Sequence, residues 1–464
     1  MAETRYPQSS NAYSREHLVE MGARMLAVAN DLKRDAHILA EELRMDTDLV
    51  RSVLAGDASP ADALSLMESM AHTYPVSMRE LWVDLADTQG GVLVMSAQAS
   101  ERSGRVYQRT DGHGQSHPYF EYRDTAMSRT GPYKPEYVRP LRHVDDADPS
   151  NPVLAYNKGH LLHQLTFYIG AVNVYWEQGG QRHCQQMRTG DSSYMTPFVP
   201  HSFAHRGADS DGYILAITYT GEVEPAIATF GRQTSADLVA LAGDARDERQ
   251  LLVALMTRVL AVRSMDAEQL ADALTEQGIA PARSVGLASG EGPTPTEGER
   301  LALGACLGLS PDYFSVQGMT GDQEVAIKQA DNGLSRAYPH RGAAAYEIAD
   351  LASTPHQPNL CGFNVRVLAE ASVEGVFRHH FHEYVYNYGQ APARLHVNGE
   401  VHDLPHGASA YVAPFKPHHF TASGQDAQLL VVRVSGALNE AAIREFASYA
   451  PGRERVARET TRWF

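Results

Sequence analysis

The chain repeats itself, and the repeat limits what it can fold into. GHLLHQLTFYIG at 159–170, followed by GDSSYMTPFVPHSF at 190–203, is answered by RHHFHEYVYNYG at 378–389 and GASAYVAPFKPHHF at 407–420. The spacings coincide: His160 aligns with His379, Gln164 with Glu383, Pro197-Phe198 with Pro414-Phe415, and Pro200-His201 with Pro417-His418. GYILAITYTG at 212–221 and QLLVVRVSG at 428–436 follow as strand-like runs. A chain of 464 residues duplicated in this way is expected to form two like units. Ahead of each β-rich stretch, 16–72 and 247–313 carry apolar residues at helical spacing, which places Leu39-Ala40 opposite Leu270-Ala271 and Lys33 opposite Ser264.

Composition narrows the function classes. The net charge is −16 with histidine neutral, which argues against nucleic acid as a principal partner. No apolar run approaches the roughly 18 residues needed to cross a bilayer, and the N-terminus lacks the order of a signal peptide. Three cysteines without CxxC spacing provide neither a disulfide framework nor a thiolate zinc site. A cytoplasmic protein, without membrane or nucleic-acid partners, is expected.

The 21 histidines decide the rest. Residues four apart on a strand face the same side, so His160 and Gln164 share a face, as do His379 and Glu383. A second strand ending at His201 or His418 can bring a third ligand across. Two imidazoles and one oxygen leave open metal positions, the facial arrangement of non-haem iron(II) sites, which zinc or manganese would also fit. Gln164 is the weaker donor, an amide where a carboxylate is usual. His163 and His382 are expected to face away from the metal, with His205 and His419 peripheral. Spacing of His-x3-(Glu/Gln), Gly and a distal Pro-x-x-Pro-His is typical of cupins, small jelly-roll barrels. The expected class is mainly β with helical packets: a helix-turn-helix-like packet at 15–80, a catalytic cupin at 85–222, a second packet at 230–320, a second cupin at 321–440, and a C-terminal helix and tail at 441–464.

A helical packet followed by a cupin, with a lysine opening the second helix, resembles the phosphonate-processing iron oxygenases. This family includes hydroxypropylphosphonate epoxidase, 2-hydroxyethylphosphonate dioxygenase and methylphosphonate synthase, and the duplicated layout resembles the last two over nearly the whole chain. The resemblance of YNKGH implies an iron ligand at His160 and a substrate contact at Asn157. That of GDSSYMTPFVPHS implies a second ligand at His201, and Lys33 stands where a phosphonate-binding lysine is expected. Arg109 in YQRTDG and Tyr122 in FEYRDTA resemble two further phosphonate contacts. Where the dioxygenase carries a carboxylate ligand this chain has Met195 and Thr196, and Gln164 takes that part.

The resemblance therefore implies iron(II)- and O2-dependent cleavage of 2-hydroxyethylphosphonate to methylphosphonate and carbon dioxide, without 2-oxoglutarate. Lys33, Tyr122 and Asn157 would act in catalysis, with Arg109 in binding, in a homo-oligomer. The alternative within the family gives hydroxymethylphosphonate and formate. His379, Glu383 and His418 form a candidate second metal site, while Ser264 at the lysine position favours the first half for substrate. A reading of another class, a helix-turn-helix–cupin ligand-sensing regulator, requires a basic recognition helix. RMDTDLVRSVLAGD offers three acidic residues against two arginines.

Overall fold

A computed structural model describes residues 13–85, 87–207, 211–368, 376–449 and 452–453; the tail expected beyond these lies outside the described residues. Two helical packets form as the apolar periodicity predicts. The first comprises Arg15–Asp31, Ala36–Leu43, Thr47–Leu54 and Pro60–Thr73, each opened by a side chain (Ser14, Asp35, Asp46, Ser59) accepting from first-turn N–H groups. Met21, Leu39, Val50 and Met67 fill its core. The second comprises Glu248–Arg263, Ala267–Glu276, Pro281–Ser289 and Glu297–Leu307, around Met256, Leu270, Leu287 and Leu303. Lys33 and Ser264 occupy the same left-handed turn in their packets, at φ 61° and 50°, just ahead of the N-caps Asp35 and Asp266. The alignment of the two packets thus has a backbone counterpart.

Apart from short helices such as Ala97–Arg102, Ser235–Ala242 and Glu440–Ala447, the rest of the described residues build four antiparallel sheets. One seven-stranded sheet runs, in spatial order, Val325–Lys328, Ser192–Met195, His163–Ile169, Tyr213–Tyr219, Tyr133–Pro140, Ser116–Asp124 and Arg105–Thr110. The other runs Val92–Met95, Ser409–Val412, His382–Asn387, Ala427–Val434, Leu360–Val367, Tyr346–Asp350 and Ser335–Tyr338. Three-stranded sheets built on Val172–Gln178 and Ala393–Val397 cover their outer faces. The large sheets pack on each other through Leu165, Phe167, Leu215 and Ile217 from one half and Tyr384, Tyr386, Leu430 and Val432 from the other. The order is three-stranded, seven-stranded, seven-stranded, three-stranded. Where a jelly-roll barrel was expected in each half there are two packed sheets; among the described residues none closes on itself by hydrogen bonding.

The two halves also exchange an edge strand. Val92–Met95 pairs with Ser409–Val412 of the second half, and Val325–Lys328 pairs with Ser192–Met195 of the first. Val92 is buried in the second half's core and Val325 in the first's. Removing such a valine from water is worth on the order of 1.5–3 kcal/mol. Neither strand is long or strongly patterned, so sequence division at 85 and 321 assigns each to the half that holds it in the chain rather than in space. No helix among the described residues is long and apolar enough to cross a membrane.

The exchange makes each half incomplete alone. A 1–229 fragment should expose the Leu165–Phe167 face and an unpaired edge at Ser192–Met195, and should aggregate. Co-expression with 230–464 should yield a soluble, co-purifying pair by size-exclusion chromatography. A monomeric, monodisperse 1–229 fragment would contradict this account.

Candidate metal centre and its cleft

The strand His163–Ile169 sits inside its sheet, with Ser192–Met195 on one side and Tyr213–Tyr219 on the other. Its alternation sends Leu165 and Phe167 into the interface between large sheets, and Gln164, Thr166 and Tyr168 into the sandwich. Across the strand pairs, Gln164 lies opposite Met195 and Thr218. His160 stands in the loop ahead of this strand. Gly159, at φ +72°, lies so close to Phe198 that a Cβ there would collide with the Phe198 backbone. The Phe198 N–H donates to the His160 carbonyl at 2.9 Å, fixing this loop against the one that leads into His201.

Both imidazoles are oriented by the backbone. His160 Nδ1 lies 3.1 Å from the Leu162 carbonyl, and His201 Nδ1 2.9 Å from that of Val199. Carbonyls only accept, so each Nδ1 carries the proton and each Nε2 presents a lone pair inward. Gln164 Nε2 donates to Thr166 Oγ1 at 2.9 Å, which turns Gln164 Oε1 toward His160 Nε2 at 3.2 Å. Two acceptors therefore face each other without a hydrogen between them, which a cation would relieve. Ligand bonds of about 2.1 Å meeting at a right angle place their donor atoms about 3 Å apart, close to this separation. The His160 and His201 rings are 5.3 Å apart and nearly perpendicular, at 88°. Burial first, then the charges of His160 and Arg109, push His201 down to about 4, so it is neutral and ligand-competent at neutral pH.

Asn157 ties these parts together. Its Oδ1 accepts from the His201 N–H at 2.8 Å and the Gly159 N–H at 3.0 Å, and its Nδ2 lies 3.0 Å from His201 Nε2. Arg109 donates to the Ala155 carbonyl at 3.2 Å, and its guanidinium lies 4.8 Å from the Phe120 ring centre. A cleft of about 280 Å³ lies at this edge, lined by Arg105, Tyr107, Gln108, Arg109, Tyr122 and Glu136. Burial raises the Tyr122 hydroxyl above its ordinary value and keeps it a proton donor. Arg105 bridges Asp124 at 2.6 Å and Glu136 at 3.2 Å. Lys33 is placed elsewhere, exposed in the first packet, with Nζ donating to the Asp31 carbonyl at 3.1 Å.

His379, Glu383 and His418 repeat the constellation. Their Nδ1 atoms face the Phe381 and Lys416 carbonyls at 3.1 and 2.8 Å. Their Nε2 atoms lie 3.0 and 2.8 Å from the two oxygens of Glu383. Burial would raise the Glu383 carboxyl, but His418 and Arg433 outweigh it and hold the group well below its ordinary value. Arg433, which sequence reading passed over, donates to Glu383 at 2.6 Å. Aligning GYILAITYTG with QLLVVRVSG on their closing glycines sets Arg433 against Thr218, a signal that was available. His163 and His382 do face away, bonding to Tyr194 and Tyr411 hydroxyls at 2.6 and 2.7 Å. His205 lies beside His143 with its ring tilted at 51°, and His419 stacks on His396.

No protein-family model matches the chain. Methylphosphonate synthase of Nitrosopumilus maritimus (strain SCM1) is 30% identical over 472 aligned residues, which cover 97% of this chain and 96% of that protein. The structure of Streptomyces albus 2-hydroxyethylphosphonate dioxygenase with 2-hydroxyethylphosphonate and Fe(II) bound matches at 33% identity and a TM-score of 0.84, over 97% of this chain and 100% of that one. Native PhpD with cadmium atoms shares the fold, at 21% identity and a TM-score of 0.71, over 95% of this chain and 99% of its own. With a duplicated architecture, a His160–Gln164–His201 cluster and a relative of this identity along nearly its whole length, the chain is an oxygenase belonging to the family of methylphosphonate synthase and 2-hydroxyethylphosphonate dioxygenase.

Proposed function

We propose that this chain cleaves 2-hydroxyethylphosphonate oxidatively to methylphosphonate and carbon dioxide, using O2 and iron(II) held by His160, Gln164 and His201. The observation that carries this reading is the neutral ligand set, with its facing lone pairs, beside a cleft containing Arg109 and Tyr122. The synthase at 30% identity and the dioxygenase solved with this substrate at 33% support it. Iron(II), when bound, supplies the site for dioxygen and the one-electron chemistry that a closed-shell substrate needs.

The chain's own residues bind and orient. Two imidazoles and an amide bring no negative charge, so a phosphonate can supply it where a carboxylate ligand would compete. Arg109, fixed by Ala155 and Phe120, directs its remaining N–H groups at a phosphonate oxygen. Tyr122, held protonated, donates from the cleft wall, and Asn157 Nδ2 addresses substrate beside His201. Lys33 adds a second cation from the helical packet of its own chain or of a second copy. The reaction balances: 2-hydroxyethylphosphonate and O2 give methylphosphonate, carbon dioxide and water. All four electrons reaching dioxygen come from the substrate, so 2-oxoglutarate has no role. Each sandwich is assigned as a cupin and each packet as a helix-turn-helix-like module, within 15–80, 85–222, 230–320, 321–440 and 441–464 apart from the exchanged strands. The protein is assigned to the cytoplasm, as a homo-oligomer without nucleic-acid or membrane partners. The nearest rival, cleavage to hydroxymethylphosphonate and formate, is favoured by the structural match to the dioxygenase at a TM-score of 0.84.

Anaerobic loading with iron(II), then 2-hydroxyethylphosphonate and air, should give a methylphosphonate signal by phosphorus NMR that His160→Ala abolishes. Hydroxymethylphosphonate instead would move the chain to the rival reaction; no phosphonate product would refute both. Gly159→Ala should push Phe198 against the His160 loop and weaken iron(II) binding by about tenfold or more in chelator competition, with far-UV circular dichroism unchanged. Unaltered affinity would mean that the loop does not position His160.

A further inference from the structure

We propose that the His379–Glu383–His418 centre is a second, independent metal site, one that holds a resident first-row divalent cation and admits no phosphonate. The geometry matches the first centre. Both imidazoles turn Nδ1 to a backbone carbonyl two residues away, leaving Nε2 inward, and their rings lie 5.6 Å apart at 85° against 5.3 Å and 88° in the first. The His418 Nε2–Glu383 Oε1 separation of 2.8 Å agrees with the roughly 3 Å expected between adjacent donors on one ion bound at about 2.1 Å, and ligand atoms of all three residues lie within 4.8 Å of one another. Glu383 and His418 are 0% and 1% exposed, so this set is built into the sandwich rather than gathered on a surface.

What surrounds the ligands separates this centre from the first. Glu383 has a second partner, because Arg433 donates Nε to its Oε2 at 2.6 Å. The Arg433 guanidinium is pinned between Phe363 and Phe377, 5.2 and 4.9 Å from their ring centres. Arg433 thus fixes the carboxylate plane and leaves Oε1, with both Nε2 atoms, to the ion, the part a supporting residue plays around a metal. The cavity that Arg433 lines, of about 20 Å³, is walled also by Arg336 and by Ile348, Phe363, Val365, Phe377 and Val431. It has room for a water molecule but not for a phosphonate. A nitrogen–carboxylate set of this kind suits Mn(II), Fe(II) or Zn(II). The inference does not rest on the proposed reaction, since the second centre uses none of the first centre's residues.

The test is metal stoichiometry of the full chain. Apo protein titrated with Mn(II), and separately with Fe(II) under anaerobic conditions, then passed over a desalting column, should retain two equivalents by inductively coupled plasma mass spectrometry. His379→Ala and His160→Ala should each retain one, and the double variant none. One equivalent in the wild type, lost in His160→Ala and kept in His379→Ala, would overturn the proposal and leave the first site intact. One equivalent lost only in His379→Ala would support the second site and overturn the first. Should His379→Ala fail to fold, anomalous diffraction from Mn(II)-soaked wild-type crystals decides: a peak between His379 and His418 is expected, and a lone peak at His160 refutes it.

Discussion

Everything in this protein hangs on the face-to-face packing of its two large sheets. Each ligand strand, His163–Ile169 and His382–Asn387, uses one face for that packing, which leaves the alternate face to carry Gln164 or Glu383 inward. A slip of one residue would bury His163 where Gln164 stands and turn Leu165 out of the interface. Polar bonds across the halves oppose such a slip. The Ser192 hydroxyl accepts from the Ala352 N–H and that of Ser409 from the Ala126 N–H, both at 2.8 Å, so each half is fastened to the other at equivalent places. The exchanged strands then seal the edge beside each of these serines. Ligand placement is a consequence of how the halves bind each other.

Sequence alone carried much of this. The repeat identified the strands that carry Gln164 and Glu383, the distal histidines and the correspondence of Lys33 with Ser264, because strict alternation and Gly/Pro-bounded motifs are local properties that spacing records. Features requiring knowledge of neighbours were not legible. Val92–Met95 and Val325–Lys328 are four-residue strands whose partners lie more than a hundred residues away, and nothing local announces them. Asn157 read as a substrate contact, yet its oxygen ties the Gly159–His160 loop to the backbone of His201, a role visible only once His201 is beside it. Arg433 was hidden for another reason: in a run of apolar strand residues an arginine reads as an outward-facing charge, when here it turns in toward Glu383.

Duplication also lets one backbone hold two electrostatic environments. Two of the positions that differ are neighbours: Gln164 against Glu383, and the cross-strand residue Thr218 against Arg433. In the first half neither residue is charged, so a dication there would lack a counter-charge from these two positions and would draw it from an anion entering the cleft. In the second half Glu383 supplies a carboxylate, held by Arg433 at 2.6 Å, and the cavity that Arg433 lines measures about 20 Å³.

The two changes belong together, which is why they occur as a pair. Glu383 without Arg433 would be a buried carboxylate sharing two imidazoles, and burial acts strongly against its charged form. Arg433 without Glu383 would be a cation wedged between two aromatic rings with no anion to answer it. In the first half, Thr218 instead donates its hydroxyl to the Lys134 carbonyl on the neighbouring strand at 3.3 Å, and the amide of Gln164 needs no counter-ion. An isolated exchange at either position therefore costs more than the coordinated one. One duplicated frame thereby holds a His–Gln–His cluster with no charged oxygen donor and a His–Glu–His cluster whose carboxylate is matched to an arginine.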